Sequence, residues 1–110
     1  MGWADRYIED LKCGQIVQFR PRGNSMSGKI ESGQLCTVEP IFPHTFPKKG
    51  DIVLCKVKGR QYLHLITAIR GGGTEMYQSF ALYQISNNRG RINGWINRHK
   101  IYGICVNIEN

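Results

Sequence analysis

The strongest hydrophobic signal is a pair of apolar runs divided by a short polar turn. Asp51 to Val57 is β-branched and almost continuously apolar, Lys58-Gly59-Arg60 interrupts it, and Gln61 to Ile69 resumes it. Two such runs around a Gly-bearing turn predict a β-hairpin. Upstream, Tyr7, Ile8 and Leu11 fall at i, i+1 and i+4 behind an early acid, which predicts a short helix over Asp5 to Lys12 that Gly14 stops. Gln15 to Arg20 and Gln34 to Glu39 read as short strands, with Pro21 and Gly23 breaking the first. Ile41 to Lys49, carrying Pro and Lys, reads as a surface loop, and Arg70 to Thr74 as a flexible one. Two more strands are expected, Ser79 to Ile85 and Lys100 to Ile108, with a loop rich in Asn, Arg and Gly (Ser86 to Gly94) between them. The result is a mostly β fold with a short N-terminal helix, expected to form one domain over residues 1–110.

Composition narrows the class. At 110 residues, 41% hydrophobic and 21% charged, the chain has the balance of an ordinary globular domain with one core. No apolar run approaches the roughly 20 residues of a bilayer span, and acids stand where a signal peptide needs an apolar stretch, so no membrane partner is expected. Fifteen Lys and Arg against eight Asp and Glu give a net charge of +7, which favours encounter with polyanions, nucleic acid among them. The four cysteines (13, 36, 55 and 105) form no C-x-x-C pair, and three sit inside apolar runs, as expected of free thiols in a reduced, cytoplasmic protein. The histidines pair with no cysteine at zinc-ligand spacing, so neither metal nor other cofactor is expected.

Candidate chemistry lies at Gly23-Asn24-Ser25-Met26, where a serine follows a glycine break at a strand end. A nucleophile needs such a constrained turn, with backbone N–H groups close enough to hold an oxyanion. Taken alone, the tetrapeptide reads rather as a turn serine satisfying local backbone groups. The order of parts adds to it: strand, G-x-S-M, Ser32-Gly33-Gln34-Leu35, Lys49-Gly50-Asp51-Ile52-Val53, hairpin, and a closing strand through Tyr102-Gly103-Ile104-Cys105-Val106. From about Gln15 to Ile108 this resembles the catalytic domain of LexA-type self-cleaving repressors and bacterial signal peptidases, a Ser/Lys peptidase superfamily.

The resemblance implies Ser25 as nucleophile, Met26 beside it, Gly23 as a turn former, and the backbone N–H groups of Asn24 and Ser25 as oxyanion donors. It places the general base on the return strand of the hairpin, where the family usually has lysine and this chain has His64. A lysine base must be desolvated to lose its proton, whereas imidazole titrates near neutrality without help. Histidine in the lysine position also occurs in eukaryotic and archaeal relatives of signal peptidase. A third group usually orients such a histidine, and Asp51 is the expected one. The family's D-G-D-x-L segment loses both acids in Ser32-Gly33-Gln34-Leu35, and Gly23 and Ser27-Gly28 follow the LexA branch rather than the signal-peptidase one.

The resemblance also implies a fold, a LexA-like twisted β-structure, and a function, cleavage of a peptide bond in an extended substrate. Cys13-Gly14 has the chemistry of a self-cleavage bond. However, the 11 positions from Gly14 to Ser25, if extended, put it up to roughly 36 Å from the serine, so cleavage in cis is not expected. The alternative function is an inactive, basic module that binds a peptide or nucleic acid. There Arg20, Arg22, Arg89 and Arg91 would meet the anion, and Trp95 or Tyr102 would offer a stacking surface.

Overall fold

The computed structural model describes residues 2–71 and 80–110. One helix, α1 (Asp5–Lys12), precedes seven strands: β1 (Val17–Phe19), β2 (Leu35–Pro40), β3 (Ile52–Val57), β4 (Arg60–Arg70), β5 (Leu82–Ser86), β6 (Ile92–Asn97) and β7 (Ile101–Glu109). All pairings are antiparallel, in the order β1-β2-β7-β3-β4-β5-β6. The mostly β expectation therefore holds, and α1 has the bounds its apolar spacing predicted. Gly14, at φ +82°, ends the helix: it carries the chain through the left-handed region so that the Gln15 N–H reaches the Asp10 carbonyl. Residues 72–74 of the expected flexible loop, and Ser79 of the expected strand, lie outside the described residues.

Strand β3 lies inside the sheet between β7 and β4, and both of its faces are covered. Side chains alternate across a strand. Ile52 and Leu54 therefore join one core with Ile8, Leu11, Phe19 and Val38, while Val53, Cys55 and Val57 join a second with Ile66, Tyr83 and Ile96. This double burial is why β3 reads as a continuous apolar run. Its hairpin turn is Lys58-Gly59, with φ +52° and +80°, the two positive values of a type I′ connection, and Val57 pairs with Arg60 across it.

Two segments depart from the expected elements. The loop expected over Ser86 to Gly94 is shorter, because a strand, β6, begins at Ile92. Its sequence, Ile-Asn-Gly-Trp-Ile-Asn, carries residues depleted in strands, and pairing with β5 overrides that local preference. The Ile41–Lys49 loop is tied down rather than merely exposed: Pro47 is fully buried, and the Arg98 guanidinium donates to the Phe42 and Thr45 carbonyls while lying over the Phe46 ring.

Candidate active site

The Ser25 turn is fixed from both sides. Upstream, the Gly33 N–H donates to the Pro21 carbonyl (2.8 Å), the Gly23 N–H donates to Ser32 Oγ (3.1 Å), and Arg20 Nη1 donates to the Gly33 carbonyl (2.9 Å). The Ser32-Gly33 segment thus braces the serine turn. Gly23 takes φ +110°, so a side chain there would be strained although space is open around it. Met26 and Ile30 are buried and root the turn in the core, leaving Ser25 exposed above them.

On the other side stands Asn88. Its N–H donates to the Ser25 carbonyl and its Nδ2 to the Ser27 carbonyl, both at 2.8 Å. The chain makes this turn at Asn87, whose Oδ1 accepts from the N–H groups of Arg89 (2.8 Å) and Arg91 (2.9 Å). The Asn-rich stretch is therefore a clamp on the serine turn rather than only a solvated loop. With the Ser25 carbonyl engaged by Asn88, the N–H groups of Asn24 and Ser25 have no acceptor among the described residues.

His64 lies on β4 opposite Val53, and its Nε2 is 3.1 Å from Ser25 Oγ, across 39 sequence positions. The ring is buried, at 7% exposure, and packs on Tyr62 with centroids 4.7 Å apart. Its Nδ1 is 2.7 Å from Asn93 Oδ1. An amide oxygen only accepts, so Nδ1 carries the proton, and in the neutral ring Nε2 is left as the acceptor for the Ser25 hydroxyl. Burial pulls the imidazole pKa below its ordinary value; the bond to Asn93 pulls it the other way but less strongly. At neutral pH the ring is an unprotonated base aimed at a hydroxyl.

The orienting residue corrects the sequence expectation. Asp51 does not hold Nδ1; its Oδ2 accepts from the Lys48 N–H (2.8 Å), and its main chain pairs with Ile66. As a strand neighbour of the hairpin start it is spent on the Lys48 turn. Asn93 reaches the histidine because β6 carries one extra residue: Ile85 pairs with Gly94 and Ser86 with Ile92, leaving Asn93 between them as a bulge. A bulge re-aims a side chain in this way. Gly94 permits it, at φ +152° and with an added Cβ only 3.0 Å from Val57 Cγ1.

A cleft of about 450 Å³ opens beside Ser25 and His64. Arg20 and Arg22 line it, while Arg89 and Arg91 sit on the turn that Asn88 ties to Ser25. Of the two aromatic rings expected as stacking surfaces, Trp95 has Arg70 over it (4.7 Å) and Tyr102 has Lys12 Nζ over it (5.6 Å). Among the described residues, no three His, Cys, Asp or Glu side chains gather as a metal site. All four cysteines are free, and burial pushes the Cys36 and Cys55 thiols up to about 12. No helix among the described residues is long and apolar enough to cross a membrane. The chain matches no protein-family model, no curated protein and no solved structure.

Proposed function

We propose that the protein is a serine endopeptidase working through Ser25, His64 and Asn93, on a LexA-like or signal-peptidase-like fold with histidine in the usual lysine position. The observation that carries this reading is the continuous relay from Ser25 Oγ through both ring nitrogens to Asn93 Oδ1, at 3.1 and 2.7 Å. His64 Nε2 takes the hydroxyl proton as Ser25 Oγ bonds to the scissile carbonyl carbon. The oxyanion then faces the N–H groups of Asn24 and Ser25. Collapse breaks the C–N bond as the imidazolium returns its proton to the leaving amine. Water, deprotonated by the same Nε2, frees the acyl group from Ser25. Asn93 fixes the tautomer and ring plane throughout, as asparagine does in Cys-His-Asn peptidases.

Labelling with a fluorophosphonate probe, together with hydrolysis of a peptide library, tests the proposal. Wild type should be labelled at Ser25 and cleave peptides; Ser25→Ala should lose both and His64→Ala nearly both. Wild-type protein inert in both assays would overturn the reading. In that case the arginines around the cleft favour a second one, an inactive module holding an anionic partner. Binding to nucleic acid that weakens steeply with log salt would support it, and binding insensitive to salt would remove it.

A further inference from the structure

The cleft beside the dyad is walled largely by apolar and aromatic side chains. Its apolar lining includes Trp3, Tyr7, Phe19, Met26, Ile30 and Leu63, alongside polar residues such as Glu31 and the two arginines. The Tyr7 and Phe19 rings stack at 4.5 Å, and Trp3 meets the Phe19 ring edge at 5.6 Å. These rings come from two elements, the helix with its lead-in and β1, and line the same cleft as Ser25, Leu63 and His64. Phe19, Met26, Ile30 and Leu63 belong to the packed core and cannot swing into the space.

Trp3 is held as a wall rather than a mobile cover. Its Nε1 donates to the Gln61 carbonyl (3.2 Å), and Gln61 Oε1 accepts from the Ala4 N–H (2.7 Å). The strand that carries Tyr62 and His64 thus also fixes the outer edge of the cleft. Trp3 nevertheless remains 52% exposed, so it offers area to a guest.

We infer that this cleft receives a large apolar side chain, aromatic or long aliphatic, from the residue of an extended peptide next to the bond that Ser25 attacks. The inference rests on the peptidase reading and deepens it. A methyl group would leave most of about 450 Å³ to water and keep Trp3 wet, whereas a phenyl or isobutyl group fills more of the space and covers apolar surface. Rigid, pre-formed walls spend little ordering entropy on the guest, which sharpens the preference.

The experiment compares peptides that differ only at that residue, Phe, Leu or Ala, in two arms. In hydrolysis by wild type, kcat/KM should be on the order of 10²-fold higher for Phe and Leu than for Ala. In calorimetric binding of blocked peptides to Ser25→Ala protein, which needs no catalysis, the same ranking should appear. Trp3→Ala should shrink the Phe-to-Ala ratio in both arms. Equal or reversed ranking in the binding arm overturns the inference. Absence of probe labelling and hydrolysis, with the ranking intact in binding, overturns the peptidase reading and leaves a site for apolar side chains.

Discussion

Asn93 Oδ1 lies 2.7 Å from His64 Nδ1 and can only accept, so it determines which ring nitrogen is free to serve Ser25. An amide gives this orientation without a negative charge. On the proposed mechanism the imidazolium formed during attack is less stabilised than beside a carboxylate, and the resting ring stays neutral to lower pH.

Replacement of Asn93 separates positioning from charge. Asn93→Ala should lower kcat roughly 10²-fold through loss of ring orientation, with KM changed little. Asn93→Asp should restore much of the rate and move the acid limb of the pH–rate profile upward, because a nearby carboxylate favours the protonated ring. A pH–rate profile of the three proteins checks this; an unmoved limb in Asn93→Asp would show that position 93 does not act on His64.

The buried histidine also links stability to pH. Its folded-state pKa is lowered below the ordinary 6.5, so the unfolded chain binds the proton more readily. Its contribution should be constant above about pH 6.5 and be lost as pH falls from there through the lower folded-state value. Urea denaturation across this window should show that component in wild type and not in His64→Gln.

Asn88 should matter to catalysis without touching substrate. Asn88→Ala removes the side-chain bond to the Ser27 carbonyl, at a cost of about 1 kcal/mol in stability. The backbone bond to the Ser25 carbonyl remains. Probe labelling of Ser25 should slow by more than the stability loss explains, and Asn88→Asp, which keeps the shape but cannot donate, should not rescue it.

Gly103 is required by close approach of β2 and α1 to β7. A Cβ there would come within 2.6 Å of Val38 Cγ1, 2.7 Å of the Glu39 carbonyl and 3.1 Å of Leu11 Cδ1. Since one of these atoms is backbone, Gly103→Ala should destabilise the fold by about 1–3 kcal/mol, measurable by thermal melting.

The parts of this molecule that obey a local rule were legible in the sequence. The helix showed in Tyr7, Ile8 and Leu11, and the hairpin in two apolar runs around Lys58-Gly59. The Ser25/His64 pair was legible only through the resemblance, since 39 positions separate the two and no spacing rule joins them. The orienting residue was not legible. Asn93 lies in a strand whose Asn and Gly argue against strand, and its aim depends on one unpaired residue in the β5–β6 ladder. Asp51 looked better because charge is visible in a sequence, while its use by the Lys48 N–H is not.

The single unpaired residue between Ile92 and Gly94 makes the length of this stretch, and not only its composition, a determinant of which side chain meets the His64 ring. Deleting one position there would leave both hydrophobic cores in place while turning an amide away from the imidazole. If Ser25 hydrolyses peptides as proposed, a lineage could silence or restore that activity by gaining or losing one codon, and the folded protein would look almost unchanged.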